Sequence, residues 1–228
     1  MKLKIIITGA TGMVGEGVLL ACLKHPDVES ILVINRKHLP IQNPKLKEII
    51  HSDFYNLNPI ADQMKGYNAC FFNLGVTSIG KNEEEYSHLT YDLTLHMAST
   101  LAAINTNMTF CYVSGSGTDS SETGKTMWAR VKGKTENAIL ALPFKAAFMF
   151  RPGFLKPTIG QQNVLKAYKY FGWLYPSIRL FFPKFATTIE ELGNAMINVA
   201  QNGYSKPFIE VKDILILSKK NKAVNLCM

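Results

Sequence analysis

Gly9, Gly12 and Gly15 recur at intervals of three, directly after the apolar run Leu3, Ile5, Ile6, Ile7. A helix is predicted to open from about Thr11, with Val14, Val18, Leu19 and Cys22 on its inner side. This pattern suits anion binding. Without side chains the loop lets a diphosphate approach the main chain, and a helix N-terminus offers free N–H groups and a positive dipole end. Gly15 lets the helix lie close on the strand. The plainer reading is a glycine turn in an ordinary strand–helix unit, but the strand before it and the helix after it favour a dinucleotide. A second strand, Ile31 to Asn35, runs straight into Arg36 and Lys37. A site selective for NAD places an acid here to accept from the ribose 2′-hydroxyl. This chain has none, and two cations suit a 2′-phosphate. Asn35, Arg36 and Lys37 therefore favour NADP(H) over NAD(H), against the alternative of two solvated cations on a loop.

The elements that must position these groups alternate along the chain. Strands are predicted at Lys47–His51, Ala69–Leu74, Thr109–Val113 and Ala146–Phe150, with helices at Glu83–Asn105 and Thr126–Leu142. Such alternation gives an α/β fold, a doubly wound, mostly parallel sheet with a small C-terminal extension on the substrate side. No linker composition interrupts it, so residues 1–228 read as one domain. Residues 154–186 are expected to form a substrate-side lid or wall. Within them Val164 to Phe185 mixes aromatics (Tyr168, Tyr170, Phe171, Trp173, Tyr175, Phe181, Phe182) with cations (Lys166, Lys169, Arg179, Lys184). A lid, packing on the sheet edge and an interfacial membrane patch are the three readings, the last disfavoured. Thr188 with Glu191 predicts a capping box opening a helix over Thr187–Gln201. Ile214–Leu217 reads as the last strand, and Lys219–Met228 as a basic tail.

The chain has 228 residues, 47% hydrophobic, with a net charge of +8. That is enough for a full core. The positive excess reads as solubility and attraction for a polyanionic cofactor. Nucleic-acid binding is disfavoured, because no arginine-rich run or nucleic-acid motif is present. The four cysteines (Cys22, Cys70, Cys111, Cys227) have no CxxC spacing and read as thiols of a reducing compartment, with no metal site. No signal-peptide layout and no stretch of membrane-spanning length is found. A cytoplasmic location is expected by elimination.

TGATGMVG resembles the GxxGxxG fingerprint of the short-chain dehydrogenase/reductase superfamily, in its extended and atypical branches. The similarity runs along most of the chain and is greatest toward the atypical NADPH-binding, Tat-interacting oxidoreductase-like group. The resemblance implies cofactor contacts from Gly9, Thr11, Gly12, Met13, Val14 and Gly15. It implies adenine contacts from Asp53 and Phe54, with a turn cap as the other reading of Asp53. The turn of Leu74, Gly75 and Val76 would pass under the ribose and phosphates. Pro152, Gly153 and Phe154 close the sixth strand on the cofactor side.

Reductases of the superfamily use a Ser to polarise the substrate oxygen and a Tyr to pass a proton. A Lys four residues after the Tyr holds the nicotinamide ribose and lowers the Tyr pKa. Here Ser114 or Ser116 matches the first group, and VKGKTE places Lys132 as the lysine. Trp128 occupies the tyrosine position. An indole N–H donates a hydrogen bond but releases no proton near neutral pH. Two function classes follow: an NADP-dependent oxidoreductase acting on a small, partly apolar carbonyl compound, with Tyr86, Tyr91 or water as the donor, or an NADPH-binding regulatory or interaction protein with little catalysis. The substrate or protein partner is not specified by the sequence. Extended-branch relatives often dimerise through the two helices at Glu83–Asn105 and Thr126–Leu142, and here monomer and homodimer both stand.

Overall fold

The computed structural model describes residues 2–164, 168, 175–181 and 185–219. Seven strands form one sheet in which every neighbouring pair is parallel. They are β1 (Leu3–Thr8), β2 (Val28–Asn35), β3 (Leu46–Ile50), β4 (Ala69–Phe72), β5 (Thr109–Val113), β6 (Ala146–Arg151) and, last in the chain, β9 (Phe208–Glu210), in the order β3-β2-β1-β4-β5-β6-β9. The chain winds outward from β1 in both directions, so β1 and β4 flank the point where the winding reverses. Sheets of this kind bind ligands outside the carboxyl ends of the strands at that point.

The apolar runs of the strands alternate between two cores, as expected for a sheet covered on both faces. Ile5 and Ile7 of β1 face one way with Val33 and Phe71, under helix α1 (Met13–Lys24) and helix α6 (Ile189–Asn202). Ile6 faces the other way with Ile34, Phe72 and Tyr112, under helix α3 (Leu93–Ile104) and Ile139 of helix α4 (Met127–Leu140). The two helices on the first face meet through small residues. A Cβ on Gly17 would sit 2.4 Å from Ile189 Cγ2, and one on Gly193 would sit 2.7 Å from Ala21 Cβ.

The predicted box opens α6: Thr188 Oγ1 accepts from the Glu191 N–H at 3.0 Å, and Glu191 Oε2 accepts from the Thr188 N–H at 2.8 Å. The long helix expected at Glu83–Asn105 is broken. Helix α2 (Glu83–Ser87) passes through a π turn, His88–Asp92, before α3 begins. The strand expected at Ile214–Leu217 is instead part of helix α7 (Val211–Leu217). Glu210 and Asp213 cap that helix reciprocally, and Val211, Ile214 and Leu217 are buried at helical spacing. A short apolar run has no alternation to distinguish the two states, and its flanking acids decide.

In a separate two-stranded sheet β7 (Phe154–Lys156) pairs in parallel with β8 (Ala186–Thr188), and helix α5 (Tyr175–Phe181) lies between them in the chain. Lys166, Lys169, Tyr170, Phe171, Trp173, Phe182 and Lys184 of the aromatic stretch, and the tail beyond Lys219, lie outside the described residues. Among the described residues, no helix is long and apolar enough to cross a membrane.

Candidate functional site

A groove runs along the carboxyl ends of β1, β4 and β5 in three connected chambers. The first, of about 260 Å³, is walled by the glycine loop, the end of β2 and the turn after β4. Gly9 adopts φ +71°, and a Cβ there would lie 2.8 Å from the main chain of Asn73. A Cβ on Gly15 would lie 2.1 Å from the Gly9 carbonyl oxygen. The loop is thus pressed between the turn after β4 and helix α1, where added side-chain atoms have no room. Gly12 caps α1 without a capping side chain, which leaves leading N–H groups of the helix for an outside acceptor. Thr11 and Gly12 line the first chamber, and Met13 and Val14 line the second. The Asn73 Oδ1 is buried at the seam of both chambers without a partner. The glycine loop and the uncapped helix start fit an anionic diphosphate, whereas the Asn73 oxygen can only accept, as from a hydroxyl or an N–H of a ligand.

At the end of β2 the predicted residues separate. Arg36 lines the first chamber and, among the described residues, is the one charged group that does so. Asn35 lines it too, but its Nδ2 donates to Glu48 Oε1 at 3.1 Å. Glu48 Oε1 also accepts from the Leu39 N–H at 3.0 Å, and its Oε2 pairs with His38 at 2.8 Å. Those bonds occupy both oxygens of the Glu48 carboxylate, which is not on the chamber wall. Lys37 and Asp53 are not on the wall. Asp53 Oδ1 accepts from the Tyr55 N–H at 2.9 Å, the turn-cap alternative. Phe54 is on the wall but buried in the lower core.

The second chamber, about 450 Å³, joins Leu74, Gly75 and Val76 to Lys132, Pro152 and Gly153, and the third, about 430 Å³, adds Ser116 and Trp128. Phe154 is outside all three and packs on Tyr168 and Tyr175, with ring centroids 5.1 and 6.3 Å away. Lys132 Nζ donates to the Ser114 carbonyl at 2.5 Å. Desolvation pushes this ammonium down to about 8, with the Glu136 carboxylate acting in the opposite direction. Ser114 lines the second and third chambers, and its hydroxyl is shared between Glu136 Oε1 at 2.5 Å and the Phe150 carbonyl at 3.1 Å. Ser116 lines the third chamber, and its N–H donates to the Pro152 carbonyl at 2.8 Å.

Three residues that sequence reasoning did not pick out shape this site. Glu136 is fully buried and accepts from Arg151 Nε at 3.0 Å as well as from Arg151 Nη2. Its position one turn after Lys132 was visible, but its burial was not. Glu16, in the first turn of α1, is buried and accepts from the N–H groups of Gln162 and Asn163 at 2.8 and 2.7 Å. Asn73 carries the unpaired oxygen described above. Cys22, Cys70 and Cys111 are buried and unbridged, and Cys227 lies outside the described residues. Among the described residues, no cluster of His, Cys, Asp and Glu could hold a metal ion.

No family model matches the chain. Protein FMP52, mitochondrial, of Saccharomyces cerevisiae is 24% identical over 227 residues, spanning 93% of this chain and 95% of that protein. Protein HTATIP2 of Rattus norvegicus is 25% identical over 228 residues, spanning 97% and 92%. Among solved structures, MoeE5 in complex with UDP-glucose and NAD superposes with a TM-score of 0.65 at 14% identity, over 96% of this chain and 82% of that one. The chain resembles the atypical short-chain dehydrogenase/reductases. The Bacillus cereus UDP-glucuronic acid 4-epimerase in complex with NAD shares the same fold, with a TM-score of 0.63 at 13% identity over 97% and 84%. The fold is therefore the expected Rossmann-like α/β sheet.

The expected cytoplasmic location is corrected by the relatives. FMP52 proteins of several fungi are named mitochondrial, which points to mitochondria. Excluding secretion and membrane spans does not discriminate between two reducing compartments, and an organelle address is read by receptors rather than set by the fold.

Proposed function

We propose that this groove binds NADP(H) in preference to NAD(H), and that the protein reduces a small, partly apolar carbonyl compound. The observation that carries the cofactor reading is Arg36. It is a cation on the wall of the chamber beside the glycine loop, and among the described residues no acid lines that wall. The first turn of α1 would hold the diphosphate, and Arg36 the 2′-phosphate. Lys132 would turn from the Ser114 carbonyl to the nicotinamide ribose, and Ser116 would hold the substrate oxygen. Pro152 and Gly153 would back the nicotinamide. Once bound, the reduced cofactor supplies a hydride. Residues 1–228 would act as one domain, with 154–186 walling the substrate side.

A second reading rests on Trp128, which lines the outer chamber where a tyrosine would be expected. If nothing replaces the lost acid, the protein is an NADPH-binding regulatory or interaction protein. Titration with NADPH and NADH tests the shared premise. Arg36→Ala is expected to weaken NADPH by about 1.5–3 kcal/mol, the worth of a charge-assisted hydrogen bond, and leave NADH almost unchanged. Equal loss for both cofactors would refute the preference. Tight NADPH binding with no oxidation across a panel of carbonyl compounds would favour the second reading.

A further inference from the structure

Tyr86, on α2, is a buried tyrosine whose small accessible surface opens into the outer chamber, the space it shares with Ser116, Trp128 and Lys132. Burial pushes its phenol up, and the neighbouring Thr90 hydroxyl pulls it back. Thr90 Oγ1 is itself buried and short of a well-formed hydrogen bond. Thr90 lies in the π turn, four residues on from Tyr86. Such turns disturb an α-helix at some cost and recur at functional positions. The alternative tyrosine is placed elsewhere: Tyr91 lies under Lys134 Nζ, 4.4 Å from its ring centroid, and is not on the groove wall.

We propose that Tyr86 is the proton donor of the outer chamber, taking the role that Trp128 cannot fill. This rests on the reading of the protein as an NADP(H)-dependent reductase. As a hydride adds to the carbonyl carbon, the C=O π pair moves to oxygen. The Tyr86 O–H bond breaks and its proton goes to that oxygen, giving the alcohol, oxidised cofactor and a phenolate. Water entering the open chamber returns the proton. Lys132 lines the same chamber as Tyr86, with its Nζ 6.0 Å from the ring centroid of Tyr112.

Tyr86→Phe tests this in two arms. Without cofactor, binding of 2,2,2-trifluoroacetophenone followed by fluorine NMR should weaken about fivefold, the loss of one hydrogen bond. With NADPH and 9,10-phenanthrenequinone, kcat should fall by about 10²–10⁴-fold, the usual worth of a general acid, while the Kd for NADPH stays constant. Unchanged ketone binding, or a kcat within a few-fold of the parent, would overturn the assignment. So would a parent protein that binds NADPH and turns over no quinone, an outcome that leaves the cofactor reading intact. NADPH failing to bind sinks both readings, and the titration reports that separately. Thr90→Val guards against a Tyr86 variant that does not fold. Beside the phenol stand Thr90 on the same run of helices and Tyr112 from β5, and Lys132 of α4 lines the same chamber. With Thr90 removed, the phenol loses the neighbour that lowers it, so the alkaline limb of the pH–rate profile should move upward. An unmoved limb counts against Tyr86.

Discussion

At the glycine end of the groove the wall is main chain. Gly9 and Gly15 leave no room for a Cβ, and α1 opens with no capping side chain. At the other end the wall depends on side chains that hold one another. Lys132 reaches the Ser114 carbonyl, the Ser114 hydroxyl reaches Glu136, and Glu136 is paired with Arg151. Main chain recognises the charge and shape common to any diphosphate, so that end can be made from a short local motif. At this end particular acids and cations must stand at fixed positions, and three successive elements, the end of β5, α4 and β6, must meet to supply them. The difference explains how one end can keep a family pattern while the other departs from it at Trp128.

The largest effect should come from the charged end. Glu136→Gln leaves the Arg151 guanidinium, itself mostly buried, facing a neutral amide. Breaking a buried ion pair from one side costs about 3–5 kcal/mol. Arg151 keeps Ser120 and a longer contact to Glu210 at 3.4 Å, which places the expected loss at the lower end of that range. The matching change at the glycine end is Glu16→Gln. Glu16 is bonded to main-chain N–H groups of Gln162 and Asn163, and among the described residues it has no ion-pair partner. An amide oxygen still accepts one of them, so about 1 kcal/mol is expected. Urea unfolding of both variants checks the contrast, and equal losses would remove it.

Next in size is Gly15→Ala. Its Cβ must displace the Gly9 carbonyl from 2.1 Å, and overpacking of this kind costs about 1–3 kcal/mol. Dinucleotide affinity should fall as well, because the displaced loop is the cradle. Gly133→Ala makes a similar clash at the other end, 1.8 Å from the Asp119 carbonyl. There the expectation is lost stability with dinucleotide affinity nearly kept, read by titrating whatever fraction folds. Should Gly15→Ala bind NADPH as tightly as the parent, the main-chain cradle is not the anchor.

The same contrast governs what the sequence discloses. Gly9, Gly12, Gly15 and the apolar runs of β1, β2, β4, β5 and β6 carry their structural meaning locally, through backbone space and twofold burial. The Thr188–Glu191 box is equally local. Asn73, Glu136 and the hydroxyl bonds of Ser114 depend on residues brought together only by the sheet. The run at Ile214–Leu217 misleads because both faces of either element would be apolar there. Arg36, Lys37 and Asp53 look alike in sequence as polar residues at strand ends, yet only Arg36 of the three lines the groove.

The smallest effect tests whether the two ends communicate through charge. The Lys132 ammonium, held at about 8 by desolvation, lies well below its ordinary value of 10.5. Because the folded value is the lower, the unfolded chain binds more protons between those two pH values. The lysine therefore weighs against folding at neutral pH, and stability should rise as pH climbs from about 8 toward 10. A bound polyanionic dinucleotide reverses the local field, restores the ammonium and draws in a proton. At pH 8, where the lysine is near half-charged, uptake should approach ~0.5 proton per dinucleotide bound. Calorimetric titration of NADPH at pH 8 in buffers of different ionisation enthalpy measures it, and Lys132→Met should abolish the buffer dependence. Uptake that survives in the variant would assign the proton to another group and uncouple the lysine from the glycine end.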